Sequence, residues 1–153
     1  MAKRSEIRLD REQRRRETQR LRDAGLRTTR QRLQLSALLF SRGDRHLTAE
    51  ELLREAQQAG LKVSFATIYN TLKSFTDHGL LKVVPLAGGR ILFDTNTRPH
   101  FHLHIEETGE LFELPPDPDA LLERMKAAHP KGWDQDRLEI LAYIRRAAPP
   151  EDD

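Results

Sequence analysis

The sequence predicts an α+β chain, with an N-terminal winged helix-turn-helix domain followed by a small α/β dimerisation domain. Three observations lead there. Capped segments with helical apolar spacing run from about residue 11 to residue 78. Two short apolar runs flanking Gly88-Gly89 follow them and read as a β-hairpin. After a polar, proline-containing stretch, His100-Phe101-His102-Leu103-His104-Ile105 alternates with the period of a strand. A chain of 153 residues has room for one ordinary domain or two small ones.

Taken in order, residues 1–10 have no clear periodicity. Arg11 to Ala24 is rich in helix formers, has Leu21 among its few apolar anchors, and is closed by Gly25. Thr28 or Thr29 is placed to cap a second helix from Arg30 to about Ser41, whose apolar stripe is Leu33, Leu35, Leu38, Leu39 and Phe40. Thr48 with Glu51 forms a capping box for a helix running to about Ala59, and Gly60 ends it. Ser64 caps a further helix reaching about His78, with Phe65, Ile68, Leu72 and Phe75 as its inward positions and Gly79 as its stop. Two helices joined by a short link, the second with an outward polar and aromatic surface, have the layout of a helix-turn-helix. The runs Leu80–Pro85 and Arg90–Phe93 add the wing, with Leu86–Gly89 as its turn.

The stretch 94–99 reads as a linker. Beyond it come the histidine strand, a turn at Glu107–Gly109, a second strand Glu110–Leu114, and a helix from Asp119 through Ala128. A turn at His129–Gly132 and a last strand near Arg137–Ile144 complete a unit of about 50 residues, too small to bury a good core alone, so dimerisation through it is expected.

Charge is divided unevenly. Residues 1–32 hold twelve Lys/Arg and five acids, an excess of +7, whereas Glu106–Glu123 holds seven acids and no base. A basic head suits a polyanionic partner at that end. Cysteine is absent, which excludes disulfides, thiolate catalysis and thiolate-held metal, so any ion must be held by His, Asp and Glu. No apolar run approaches the roughly 18 residues that cross a membrane, and the N-terminus lacks a signal-peptide core; no membrane partner and a cytoplasmic location are the expectations. His100, His102 and His104 share one strand face, and imidazole is the commonest ligand of divalent transition metals. The plain alternative is a solvated polar face.

The stretches Gly25–Arg32, Arg45–Leu52, Ser64–Leu72 and Phe93-Asp94, followed by the histidine strand, resemble in unbroken order the ferric uptake regulator (Fur) superfamily over roughly residues 18–145. Phe93–Thr97, Tyr69-Asn70-Thr71 and the lack of cysteine look most like its iron response regulator (Irr) branch. The resemblance implies a metal- or haem-responsive transcription regulator of iron and haem homeostasis genes. It would act as a repressor, bind A/T-rich inverted repeats of double-stranded promoter DNA as a homodimer, and not be an enzyme. Carried over position by position, the regulatory site falls on His46, Asp94, His100, His102 and Glu113, for Fe, Mn or Zn. His104 serves haem or stands as a solvated neighbour, and haem-biosynthesis proteins become candidate partners. The family's paired-cysteine zinc site is missing, since Ile105 and Thr108 stand there, and Pro99 and Phe101 remove ligands of a second site. His78 and His129 read as a helix-end residue and a turn residue.

The expected organisation is a basic, flexible arm over 1–17, a DNA-binding domain over 18–94, a linker over 95–99, a dimerisation and metal-sensing domain over 100–146, and a disordered tail over 147–153. DNA contacts are expected from Tyr69, Asn70 and Lys73, with Ser64 and Thr67 at the start of the reading helix, from Arg27, Arg30 and Arg32 on phosphates or a narrow minor groove, and from Arg90 on the wing. A peroxide-sensing repressor and a metal-dependent hydrolase are the competing readings.

Overall fold

Asp10 caps the first described helix. Its carboxylate accepts from Gln13 N at 2.8 Å while Gln13 returns a bond to Asp10 N, a capping box that starts α1 (Arg11–Asp23). The computed structural model describes residues 9–105, 108–114 and 116–128. Within them the chain divides into two units, one through Pro99 and one built on the hairpin and helix that follow.

In the first unit, α1 turns Glu17 and Leu21 inward. Glu17 is only 1% exposed; Ser36 Oγ donates to its Oε2 at 2.6 Å, and Arg20 and Arg16 pair with its two oxygens. The Arg20 guanidinium also lies 4.2 Å from the centre of the Phe40 ring. Residues 11–17, expected in the flexible arm, therefore belong to a helix fastened to the next one. The charge run hid one buried carboxylate with partners waiting for it.

Helix α2 (Arg30–Phe40) is capped by Thr29, α3 (Ala49–Gln58) by the expected Thr48–Glu51 box, and α4 (Phe65–Asp77) by Ser64. Helices α1, α3 and α4 end alike. The residue after the glycine bonds back across the last turn: Leu26 N to Leu21 O, Leu61 N to Ala56 O, and Leu80 N to Phe75 O, at 2.8–2.9 Å. This ending needs a left-handed residue, and Gly25 (φ 70°) and Gly79 (φ 74°) supply it. The core is Leu21, Leu35, Leu39, Leu52, Ile68, Leu72 and Phe75, all fully buried. Each contributes roughly 1.5–3 kcal/mol relative to an exposed side chain. Phe65 departs from expectation: it is 44% exposed, and Thr71 is buried instead.

Strands β2 (Lys82–Pro85) and β3 (Ile91–Asp94) form the wing around a short 3-10 turn at Ala87–Gly89. A third strand, β1 (His46–Leu47), was not anticipated. It lies antiparallel on the other side of β3, pairing His46 with Asp94 and Leu47 with Phe93. Two residues have no period, and their partner lies almost fifty positions away.

The expected linker is a correction too. Thr95 exchanges bonds with Arg45, and Thr95 and Asn96 are buried. Asn96 N donates to Asp94 Oδ1 at 2.8 Å, Asn96 Oδ1 accepts from Arg98 N, and Arg98 reaches Asp44 at 2.6 Å. Successive side-chain-to-backbone turns hold this polar stretch on the first unit.

In the second unit β4 (Phe101–His104) pairs antiparallel with β5 (Leu111–Leu114), placing His102 opposite Glu113 and His104 opposite Leu111. His100 immediately precedes β4. Both faces of β4 are half-buried, without the clean alternation expected; Ile105, Leu114 and Met125 are buried. Helix α5 spans Pro118–Ala128, and the Arg124 guanidinium sits 4.4 Å from the centre of the Phe112 ring. The expected turn at 129–132, strand at 137–144 and tail at 147–153 lie outside the described residues.

Candidate functional site

The pairing of β1 with β3 sets His46 directly opposite Asp94. His46 Nε2 lies 3.3 Å from Asp94 Oδ2, with the carboxylate fully buried. The other oxygen, Oδ1, is fixed by Asn96 N. One carboxylate oxygen is thus spent on the fold, and the second faces an imidazole.

In the second unit, strand geometry brings His100 and His102 to the same side. Their Nε2 atoms are 2.8 Å apart and their rings cross edge to face at 73°. Glu113, across the ladder from His102, places Oε1 4.0 Å from His100 Nε2. Donors sharing one ion at about 2.0–2.2 Å stand roughly 3–3.5 Å apart. The His46–Asp94 spacing matches that range. The His100–His102 spacing falls just below it and also suits one N–H···N bond between a donor and an acceptor imidazole. Both half-sets offer imidazole and carboxylate donors, which suit Zn²⁺, Fe²⁺ or Mn²⁺. His104 is half-buried, with its Nε2 buried and without a hydrogen-bond partner.

The helix that would read DNA is α4. Ser64, Phe65, Ala66, Tyr69, Asn70 and Lys73 are exposed on it, and its first turn has no acid. Thr67 is half-buried, its hydroxyl 2.9 Å from that of Ser64. Lys73 Nζ donates to Asp77 at 2.9 Å. That hydrogen bond, and then the Asp77 charge, raises the Lys73 pKa above its ordinary value, so the ammonium is a permanent cation at neutral pH. Arg27, Arg30 and Arg90 are exposed. Arg32 is already engaged: it donates to Arg27 O at 3.0 Å and lies 3.5 Å from Ser74 Oγ on α4. His78 caps α4 and bonds Ser74 O through Nδ1 at 2.8 Å.

Sequence reasoning missed Phe65 as a surface residue, because its spacing continues the apolar stripe. Its position directly after the Ser64 cap, where a helix begins to leave the core, was the available signal. Among the described residues no helix is long and apolar enough to cross a membrane.

The model of the ferric uptake regulator family matches residues 23–145. The ferric uptake regulation protein of Vibrio cholerae is 34% identical over 100 residues, covering 65% of this chain and 67% of that protein. The peroxide-responsive repressor PerR of Staphylococcus aureus is 35% identical over 94 residues, 61% of this chain and 63% of that protein. The solved structure of the Pseudomonas aeruginosa ferric uptake regulator with manganese superposes with a TM-score of 0.61 at 28% identity, covering 86% of this chain and 98% of that one. This chain belongs to the ferric uptake regulator family, whose members are transcription regulators and not enzymes.

Proposed function

We propose that this protein is a divalent-metal-responsive repressor of iron-homeostasis genes, binding A/T-rich inverted-repeat promoter DNA as a homodimer. The carrying observation is that each unit holds an incomplete but preformed donor set, His46–Asp94 in one and His100–His102 with Glu113 in the other. Two donors hold a transition-metal ion weakly, whereas four or five satisfy it. The path from Asp94 to His100 is at most about 20 Å when fully extended, a tether compatible with all five side chains meeting on one ion. An ion bound there supplies positive charge and a fixed coordination geometry. His46 and Asp94 would hold such an ion from the reading domain, and His100, His102 and Glu113 from the dimerisation domain, so that its binding would fix the angle between them. The spacing of the two α4 helices of a dimer follows from that angle, which biases the protein toward one operator geometry.

The finer assignment to the iron response regulator branch draws on a separate observation. The buried, unpartnered Nε2 of His104 is a further nitrogen on the histidine strand, of the ligand type that haem iron takes. The likeness to PerR keeps peroxide sensing through oxidation of a metal-bound histidine as the other variant.

The deciding experiment strips the purified protein with a chelator. DNA binding to promoter fragments is then measured after adding Mn²⁺, Fe²⁺, Zn²⁺ or haem. One divalent ion should tighten binding by about 5–150-fold, the range of ordinary allosteric coupling, and His46→Ala and His102→Ala should each abolish the gain. Equal binding with and without every effector defeats the switch, and no binding to any fragment defeats the regulator. A Soret band that shifts in His104→Ala selects the haem variant. A 16 Da addition to His46 or His100 after peroxide selects the other.

A further inference from the structure

The aromatic residue that left the core has a use in the first turn of α4. Phe65 is 44% exposed and Tyr69 41%, both unusual for rings of this size. They are one helical turn apart, with centroids 6.3 Å apart and planes within 27°, so they make a continuous apolar ledge. Its setting is polar: Lys73, paired with Asp77, continues the same face one turn on, Asn70 follows Tyr69 in the chain, and no acid stands in the first turn, where the helix end favours an anion. Ile68, Leu72 and Phe75 continue the Phe65 stripe into the core, so the ledge is the end of that stripe left in water at the start of α4, where an apolar partner carried by a polyanion would cover it. The thymine methyl groups of the DNA major groove, lined by phosphates, fit that description.

We propose that Phe65 is a second base-reading residue of α4, closing on a thymine 5-methyl group next to the base that Tyr69 meets. The inference rests on the DNA reading above and adds a specificity determinant to it. Phe65 is not one of the buried core residues, and its position just after the Ser64 cap tolerates alanine.

The test begins with binding-site selection from random duplexes by the metal-loaded protein. Thymines of the selected site are then replaced one at a time by deoxyuridine, and affinities are measured for the wild type and Phe65→Ala. Losing one buried methyl group weakens binding about 4-fold per half-site, and about 15-fold when both half-sites of a two-fold operator are changed. At one position per half-site the wild type should show this loss, and Phe65→Ala should show none, with an unchanged thermal melt. If Phe65→Ala keeps every thymine-to-uracil penalty of the wild type, the inference is overturned. It is equally overturned if the substitution alters only the oligomeric state, which would make the ledge a contact between copies. If the wild type selects no duplex at all, the DNA reading itself falls.

Discussion

Replacing Ser36 with alanine deletes one oxygen from the α1–α2 interface and opens no cavity of consequence. Ser36 is fully buried, Glu17 is 1% exposed, and the hydroxyl donates to Glu17 Oε2 at 2.6 Å. Hydrogen bonds to charged groups contribute about 1.5–3 kcal/mol. The carboxylate keeps Arg20 and Arg16 after the substitution, and their side chains, 28% and 56% exposed, stay hydrated. That places the expected loss near the lower end, about 2 kcal/mol. Urea unfolding followed by far-ultraviolet circular dichroism reads it directly. With a slope of about 2 kcal/mol per molar, the midpoint of the first unit falls by about 1 M. The sign should change in a Glu17→Leu background. There the Ser36 hydroxyl is itself stranded, so Ser36→Ala becomes neutral or stabilising. An unmoved midpoint for Ser36→Ala, or the same penalty in both backgrounds, refutes the view that this bond fastens the basic helix.

Gly79→Ala isolates backbone conformation. An added Cβ at Gly79 meets nothing within 4 Å, but φ is +74°, so the substitution costs about 1–2 kcal/mol and lowers the melting temperature of the first unit by several degrees; an unchanged melt counts against the helix ending described here. If Lys73 contacts a phosphate in each half-site, Lys73→Gln removes two such contacts from the dimer, and the slope of log affinity against log salt should flatten by about 1.8; an identical slope rules that contact out. Because Asp77 raises the Lys73 pKa, the ammonium and its ion pair are complete below the ordinary value of about 10.4 and are lost only as pH rises through the raised one. The contribution of Lys73 to DNA affinity should therefore stay flat across the neutral range, and a step there assigned to Lys73 by its absence in Lys73→Gln would contradict the pairing.

What could be read from the sequence was what neighbouring residues decide between themselves. Thr48 and Glu51 are three apart and do cap α3; Ser64 does start α4; the glycines after α1, α3 and α4 do end them. The wing was legible because Gly88 and Gly89 sit between two apolar runs. What escaped depends on distant partners. Nothing near Glu17 announces Ser36, nineteen residues on. His46 and Leu47 become a strand only because Asp94 and Phe93 lie beside them. Asn96 and Arg98 look like linker composition until Asp94 and Asp44 accept their hydrogen bonds. Phe65 failed in the opposite direction. Its spacing is that of a core residue, but α4 begins where the core has already ended.

The same division between local and distant partners runs through the candidate metal ligands. His100 and His102 meet because any strand brings i and i+2 to one side, so their pairing survives wherever the hairpin folds. His46 and Asp94 meet only through the three-stranded wing, and Asp94 is held there by Asn96, the first turn of the segment leading to His100. A change in the direction of that segment therefore pulls on the carboxylate itself. If the proposed ion bridges the two sets, Asn96 is the residue through which the chain's path and the ligand's position are coupled. Asn96→Ala would free Arg98 from its Oδ1 acceptor while leaving all five proposed ligands in place. It should weaken the response of DNA binding to metal more than it weakens metal binding, whereas His46→Ala should damage both together. Equal losses in the two measurements for Asn96→Ala would mean that the segment only supports the ligand and carries no signal.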